Sequence, residues 1–152
     1  MYDDILKLDQ QLCFRLYQVS RNMTRVYQPF LEKFDLTYPQ YIVMLVLFEH
    51  KVVDFKKLSE IVDLKTGTLT PIVKKLEEIG YVQKTPNAID KRRLNVILTE
   101  KGQVLNEEVI EVPLGVASKL PITLEMYTML VTELDLLSTM LKNASIITKE
   151  NA

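Results

Sequence analysis

Residues 54–99, DFKKLSEIVDLKTGTLTPIVKKLEEIGYVQKTPNAIDKRRLNVILT, contain the pattern that decides the fold. Apolar side chains three and four residues apart predict two helices, the first from Phe55 to about Val62. Asp54 is the expected N-cap of that helix, because its carboxylate can accept hydrogen bonds from the first free N–H groups. Segments rich in apolar and β-branched side chains predict two strands, residues 81–85 and 94–98. The fold predicted is mainly α with a small β-hairpin wing, a winged helix-turn-helix.

The second helix is expected to begin at Thr66 or Gly67 and to end at Gly80, a residue typical of helix C-termini. One face of this helix is apolar and belongs to the core: Leu69, Ile72, Val73, Leu76 and Ile79. The opposite face has only small hydroxyl side chains and lysines: Thr66, Thr68, Thr70, Lys74 and Lys75. Such side chains can donate to phosphates and approach base edges in a major groove. We therefore predict that this face binds DNA.

The charge distribution supports that prediction, although the whole chain has a formal net charge of only −1. Residues 65–101 contain eight lysines and arginines against four acidic residues, a net charge of +4, and the rest of the chain is at −5. A basic face on an acidic body orients a protein on DNA. The plainer alternative is a solvated hairpin beside an ordinary helix pair, since a helix-turn-helix pattern alone is weak.

The segment 90–102, DKRRLNVILTEKG, resembles the wing signature of the MarR family, an Asp-x-Arg followed by a strand that ends in Leu-Thr-x-x-Gly. Residues 68–82 resemble that family's recognition helix and its exit. The resemblance implies a homodimeric repressor on double-stranded palindromic operator DNA, with one recognition helix in each major groove. It implies that Arg92 enters the minor groove, oriented by Asp90. Lys91 and Arg93, beside them in the same basic wing, are predicted to bind DNA as well. Arginine suits a narrow minor groove, where negative potential is concentrated.

Length and composition predict one soluble cytoplasmic domain, residues 1–152. The chain is 47% hydrophobic and 26% charged, and nothing at its N-terminus resembles a signal peptide. The longest apolar run, residues 41–48, is far shorter than a membrane span, so no membrane association is expected. A single cysteine excludes an intrachain disulfide and suits a reducing compartment.

The single cysteine and single histidine of the chain argue against a catalytic or metal-binding function. One cysteine and one histidine do not make a tetrahedral metal site, and we expect no cofactor. A cysteine-dependent enzyme needs a general base near Cys13, whereas His50 lies beside Lys51 at a predicted helix end. The protein is therefore not expected to be an enzyme.

The segments outside the winged helix-turn-helix are predicted to be helical. A first helix from about Asp4 to Phe34 is expected to kink or end near Tyr27, because Pro29 interrupts its hydrogen bonds. Thr37 should cap a buried helix over residues 38–50. After residue 100 we expect a helix, a break at residues 112–115, and a last helix capped by Thr123. The helices in residues 1–34 and 100–147 are predicted to form the dimer interface, although the last helix could instead pack on its own subunit.

Cys13 has two interpretations. A lone cysteine between Leu12 and Phe14 is typical of a small buried hydrophobic residue. Against this, Tyr17 lies one helical turn away, and Tyr27 and Tyr38 flank the two predicted breaks. A thiolate held by phenol donors near a helix N-terminus would be open to attack by peroxide.

A narrower resemblance favours the second interpretation. One set of residues is similar to the organic hydroperoxide resistance repressors (OhrR), a branch of the MarR family: residues 11–14 (QLCF), Tyr17, Ser20, Arg21, Met23, Thr24, Tyr27 and residues 36–41 (LTYPQY). The resemblance implies that Cys13 is the peroxide-sensing thiol. It also implies hydrogen-bond partners in Tyr27 and Tyr38, one of them from the other subunit, with Tyr17 nearby.

The effectors implied by this resemblance are an organic hydroperoxide, which forms a sulfenic acid, and a low-molecular-weight thiol, which then forms a mixed disulfide. Further oxidation is the other implied end. Two alternatives stay open: a MarR-type regulator that binds a phenolic or other small apolar ligand, with Cys13 inert, and a Sar-type redox or virulence regulator.

Overall fold

The computed structural model describes residues 6–150, and the side chains of residues 6–144. In chain order its elements are α1 (Leu12–Leu31), α2 (Tyr38–His50), β1 (Val52–Asp54), α3 (Phe55–Ile61), α4 (Thr66–Ile79), β2 (Val82–Pro86), β3 (Leu94–Leu98), α5 (Glu100–Glu108), α6 (Glu111–Lys119) and α7 (Leu124–Glu150). Short 3-10 turns precede and follow α1, at Leu8–Gln10 and Glu32–Phe34. The chain divides into two compact units between Lys119 and Leu120.

The first helix begins later than predicted. Its expected start at Asp4 lies outside the described residues, and the α-helix begins only at Leu12. Gln11 has an extended backbone, with φ −86° and ψ 114°, so the helical hydrogen bonds cannot run through it. The N–H groups of Gln10 and Gln11 instead donate to the carbonyls of Lys7 and Leu8, three residues earlier. The prediction of one continuous helix is therefore wrong over residues 6–11.

Of the two outcomes predicted near Tyr27, a kink or an end, the end is wrong, because α1 continues through Pro29 to Leu31. Proline removes one backbone donor, but the side chains around it are held by the core. Leu31 is fully buried, and Tyr27 and Phe30 pack against the same apolar cluster. Tertiary packing thus compensates for the lost hydrogen bond.

The buried centre of the first unit is α2, as predicted. Thr37 precedes it in an extended conformation, and its N–H donates to Gln40 Oε1 at 2.7 Å. This is half of the reciprocal bonding typical of a capping box. Five apolar residues of α2 are buried: Tyr41, Val43, Met44, Val46 and Leu47.

The helix-turn-helix is formed as predicted by α3 and α4. Asp54 Oδ1 accepts the N–H groups of Lys56 at 3.0 Å and Lys57 at 3.3 Å, so it is the N-cap of α3. The apolar stripe of α4 packs into the core through three fully buried side chains: Leu69, Val73 and Leu76. Gly80 follows α4 with φ +89°, a left-handed conformation that favours glycine.

The sheet has three strands rather than the two predicted. Its order is β1-β3-β2, and both pairings are antiparallel. The additional strand, β1, aligns Val53 with Val96 of β3. Three residues are too few to show an alternating pattern, and the partner strand lies about 40 residues further along the chain. Only tertiary pairing therefore reveals β1.

The Leu-Thr-x-x-Gly segment joins the wing to the rest of the unit. Thr99 Oγ1 donates to the carbonyl of Gly80 at 2.6 Å and accepts the N–H of Gly102 at 3.1 Å, which caps α5. A Cβ on Gly102 would lie 2.1 Å from the carbonyl oxygen of Tyr81, a distance that no side chain tolerates. The glycine therefore allows α5 to pack directly on the backbone that leads into β2.

The predicted break at residues 112–115 is wrong, since α6 runs through it. The helices instead separate at Val109 and Ile110. Pro113 lies in the first turn of α6, where its missing N–H costs nothing. A Cβ on Gly115 would lie 2.3 Å from a ring carbon of Phe30, so this glycine serves close packing of α6 on α1.

The second unit consists mainly of α7. Thr123 Oγ1 accepts the N–H of Met126 at 3.2 Å, which confirms the predicted cap. Several of its apolar side chains are exposed: Leu130, Leu134 and Leu141. Over the part of the chain that the structure describes, no helix is both long enough and apolar enough to cross a membrane.

Candidate DNA-binding surface and thiol site

The solvent-facing side of α4 presents all five of its predicted DNA-binding residues, which are exposed: Thr66, Thr68, Thr70, Lys74 and Lys75. Thr70 Oγ1 donates to the carbonyl of Thr66 at 2.7 Å, which fixes that hydroxyl against the helix. No atom would lie within 4 Å of a Cβ on Gly67. The first turn of α4 is therefore open to approach by a partner.

A salt bridge joins α4 to the wing. Lys84 Nζ lies 2.9 Å from Glu77 Oε2, and the N–H of Lys84 donates to Glu77 Oε1 at 3.1 Å. The hydrogen bond from the Lys84 side chain lowers the pKa of the Glu77 carboxyl. The helix and the first wing strand are thus held together by both oxygens of one carboxylate.

The wing tip is shaped by Asn87, a residue that the sequence analysis missed. Asn87 Oδ1 accepts the N–H groups of Ile89 at 2.9 Å and Asp90 at 3.2 Å, and Asn87 Nδ2 donates to Asn95 Oδ1 at 3.1 Å. Asparagine in a charged loop is the available signal, because its side chain can close a turn on its own backbone.

Asp90 and Arg92 form the predicted pair at the end of this loop. Arg92 Nε lies 3.1 Å from Asp90 Oδ1, Arg92 Nη2 lies 3.4 Å from Oδ2, and the N–H of Arg92 also donates to Oδ1 at 3.0 Å. The hydrogen bond from the Arg92 side chain lowers the pKa of Asp90. The Arg92 side chain nevertheless remains 92% exposed. Lys91, beside it, is exposed as well.

Arg93 differs from its neighbours, because it is bonded back into the fold. Arg93 Nε donates to Asp54 Oδ2 at 2.9 Å, and the Asp54 side chain is only 14% exposed. This hydrogen bond is the main cause that lowers the pKa of Asp54 and raises the pKa of Arg93. A groove of about 490 Å³ runs beside the pair, lined by Phe55, Lys56 and Leu94 among others.

The Cys13 thiol is exposed, which excludes the buried-hydrophobe interpretation within a single chain. Within the described residues of this chain, its sulfur has no hydrogen-bond partner. Tyr17, one turn away, has its hydroxyl bonded to Arg21 Nη1 at 2.7 Å. The Tyr17 ring stacks on Phe14 with 6.5 Å between ring centroids. Tyr17 is therefore engaged by its own helix rather than by Cys13.

The other two tyrosines lie together at a different place. The ring centroids of Tyr27 and Tyr38 are 4.9 Å apart, and Tyr41 lies 5.9 Å from Tyr27 and 6.3 Å from Tyr38. Burial, followed by the two neighbouring phenols, raises the pKa of Tyr41. We call these three residues the tyrosine cluster. A cavity of about 450 Å³ lies beside it at the start of α2, lined in part by Arg25 and Thr37.

The helix geometry separates Cys13 from this cluster. Tyr27 lies fourteen residues after Cys13 on α1, which is about 21 Å along the axis at 1.5 Å per residue. Cys13 therefore does not reach Tyr27 of its own chain, and the expectation that one of the two phenols comes from the other subunit stays a prediction.

Among residues 6–144, no group of three or more histidine, cysteine, aspartate or glutamate side chains could hold a metal ion.

Comparison with known proteins places the chain among transcriptional regulators. Residues 25–109 match the family described as transcriptional regulator SarA/Rot. The organic hydroperoxide resistance transcriptional regulator of Bacillus subtilis (strain 168) is 43% identical over 110 residues, 72% of this chain and 75% of that protein. The HTH-type transcriptional regulator SarZ of Staphylococcus aureus (strain USA300) is 37% identical over 123 residues, 81% of this chain and 83% of SarZ.

A solved structure of reduced AbfR bound to DNA matches the chain with a TM-score of 0.81 and 35% identity, over 95% of this chain and 99% of that one. AbfR, from Staphylococcus epidermidis, has also been solved with a disulfide formed, with a TM-score of 0.62, 36% identity and coverage of 95% and 96%. These similarities confirm the winged helix-turn-helix fold. They also show that the relatives are regulators and not enzymes.

Proposed function

We propose that the chain, which belongs to the MarR/SarA family of DNA-binding transcriptional regulators, is a cytoplasmic repressor. In this proposal it senses organic hydroperoxides through Cys13. A homodimer binds a palindromic operator when Cys13 is reduced and releases it when Cys13 is oxidised. The B. subtilis relative, a hydroperoxide resistance regulator, and the reduced and disulfide forms of AbfR support a redox-controlled function.

DNA binding is assigned to α4 and the wing. The hydroxyl and lysine side chains of α4 suit phosphates and base edges of a major groove. The observation that supports the wing contact is Arg92, exposed at the tip and held by both oxygens of Asp90. A two-fold dimer would place two such lobes on half-sites about 34–36 Å apart, one helical turn of DNA.

The sensor proposal depends on the exposed thiol of Cys13 and on the tyrosine cluster that lies about 21 Å away on the same helix. We assign the cluster to the partner's thiol: Cys13 of one subunit approaches Tyr27 and Tyr38 of the other. Phenol O–H groups would donate to the thiolate, and hydrogen bonds to a charged acceptor are stronger than neutral ones. Tyr17, bonded to Arg21, would border this contact.

The chemistry is a two-step oxidation. The Cys13 thiolate attacks the terminal oxygen of the hydroperoxide, so an S–O bond forms and the O–O bond breaks. The alkoxide that leaves takes up a proton and becomes an alcohol. The resulting sulfenic acid then reacts with a small cellular thiol, which forms an S–S bond and releases water. Cys13 is the single cysteine of the 152-residue chain, so no second thiol of the same chain can resolve the sulfenic acid.

Oxidation would release DNA by disturbing this inter-subunit contact. The oxidised sulfur adds polar bulk, and the phenols lose their charged acceptor, which leaves donors without a partner. A hundredfold loss of operator affinity requires only about 2.7 kcal/mol of differential stability between the two states. One disrupted polar network of this kind is sufficient.

The test is fluorescence anisotropy of an operator duplex bound by reduced protein, before and after cumene hydroperoxide is added with a small thiol. We expect wild type to dissociate and Cys13→Ser to stay bound. If both proteins stay bound, Cys13 is not the sensor, and a small ligand in the 450 Å³ cavity beside Tyr38 becomes the better explanation. If reduced protein does not bind any duplex at moderate salt, the assignment of α4 and the wing to DNA is wrong.

A further inference from the structure

We infer that Arg93 is a positioning residue rather than a DNA contact. It bonds the wing to Asp54, the N-cap of α3, and so fixes the wing in the position from which Arg92 is proposed to enter the minor groove. This inference rests on the proposed role of Arg92. It replaces the prediction from sequence that Arg93 binds DNA together with its neighbours.

The two oxygens of the Asp54 carboxylate accept hydrogen bonds from two different elements. Asp54 Oδ1 accepts the N–H groups of Lys56 and Lys57 at the start of α3, and Asp54 Oδ2 accepts Arg93 Nε at 2.9 Å. The same side chain therefore bonds the first helix of the helix-turn-helix and the last residue of the wing loop. Any rotation of the wing away from α3 would break this bond.

The backbone of Arg93 is also hydrogen-bonded, on both its carbonyl and its N–H. Its carbonyl accepts the N–H of Asn87 at 2.9 Å, and its N–H donates to the carbonyl of Asp90 at 2.9 Å. Arg93 thus closes the loop on both sides at the point where β3 begins. Asp54 pairs with Asn95 of β3 in the sheet, so the side-chain bond reinforces a backbone contact two residues away.

Arg92 and Arg93 differ in the exposure of their side chains. The Arg92 side chain is 92% exposed, whereas the Arg93 side chain is 53% exposed and faces Asp54. Asp54, Asp90 and Glu60 all act to raise the pKa of Arg93, so its charge is already matched by nearby carboxylates. A phosphate would have to compete with them, whereas Arg92 extends beyond the carboxylate that orients it.

A double-mutant cycle on operator affinity tests the inference, with the variants Arg92→Ala, Arg93→Ala and the two combined, measured between low and moderate salt. Arg92→Ala should reduce the slope of log affinity against log salt by about one counterion. Arg93→Ala should weaken binding by about tenfold with the slope unchanged, and it should add no further loss when Arg92 is already alanine.

Asp54→Asn is the matched variant, because asparagine is an equally good N-cap but does not have the negative charge that pairs with Arg93. It should weaken operator binding to the same extent as Arg93→Ala, while circular dichroism shows that the helices are retained. If Arg93→Ala lowers the salt slope by about one and its loss adds to that of Arg92→Ala, Arg93 contacts DNA and the inference is overturned. If Arg92→Ala itself changes neither affinity nor slope, the proposed wing contact fails and the inference with it.

Discussion

Three carboxylates of the DNA-binding lobe accept hydrogen bonds from basic residues, and two of them, Asp54 and Glu77, join separate elements. Asp54 bonds Arg93 and the start of α3, Glu77 bonds Lys84 in both side chain and backbone, and Asp90 bonds Arg92 within the wing loop. In each case the hydrogen bond from the basic side chain is the first cause of a lowered carboxyl pKa. Single acidic residues therefore determine how the wing sits on the helices.

These lowered pKa values predict a loss of stability in acid. In the unfolded chain the carboxyl groups titrate near pH 4, and in the folded protein they titrate lower, so their stabilising contribution is complete above the unfolded pKa. It is lost as the pH falls through the folded pKa, because the folded state must then take up the protons. We expect the urea midpoint to fall between about pH 5 and pH 2, and to fall less for Asp54→Asn. Glu107→Gln, an exposed position on α5, is the control, and equal acid sensitivity in all three proteins would contradict the prediction.

We expect Tyr38→Phe to impair peroxide sensing without weakening DNA binding. The change removes one O–H donor but keeps the ring that packs on Tyr27. Loss of a hydrogen bond to a charged acceptor should slow the reaction of Cys13 with cumene hydroperoxide by about tenfold or more, as followed by intact-protein mass spectrometry. Operator affinity of the reduced protein should stay within about twofold of wild type. Tyr127→Phe, on α7, is the matched control, and an unchanged rate in Tyr38→Phe would remove that phenol from the sensor.

At the scale of elements, two glycines have opposite requirements. Gly102 lies against the carbonyl of Tyr81, where a Cβ has no room, whereas Gly67 is surrounded by open space in the first turn of α4. Gly102→Ala should destabilise the protein by about 1–3 kcal/mol, since backbone must move to admit the methyl group. Gly67→Ala should instead stabilise it by about 0.4–1 kcal/mol, because alanine loses less entropy on folding. Urea unfolding of the two variants measures both values, and a loss of stability in Gly67→Ala would show that α4 is strained there.

The elements that sequence predicted correctly are those with local signals. Asp54 before α3, Gly80 after α4 and the periodic apolar residues between them fixed the helix-turn-helix within about one residue at each end. Strand β1 has no local signal, because it exists only through its pairing with β3. The breaks predicted at the two prolines do not form, since core packing compensates for Pro29 and Pro113 lies in the first turn of α6, where no N–H is needed.

The site was predictable to a similar degree. The exposed residues of α4 and the pairing of Asp90 with Arg92 follow from spacing and motif. The bond from Arg93 to Asp54 joins residues 39 apart in sequence, so no local pattern could distinguish Arg93 from Arg92. The contact of Tyr27 with Tyr38 is likewise tertiary, so no local pattern in the sequence predicts it.

At the scale of the whole molecule, we propose an assembly in which each Cys13 thiol is served by the other subunit. The exposed apolar residues of α7 are consistent with a dimer, and about 21 Å along α1 separates Cys13 from Tyr27 of the same chain. In this proposed dimer, the contact that builds the sensor would also link the two subunits that hold the DNA-binding lobes.

The most direct measurement uses a mixed dimer, purified through two different affinity tags. One subunit is Cys13→Ser with its tyrosines intact, and the other keeps Cys13 but has Tyr27→Phe and Tyr38→Phe. If the site forms between subunits, the single remaining Cys13 faces intact tyrosines. It should then react with cumene hydroperoxide at the wild-type rate and release the operator. If that thiol reacts as slowly as in the homodimer with both tyrosines replaced, the tyrosine cluster does not serve the partner's cysteine, and the central claim is wrong.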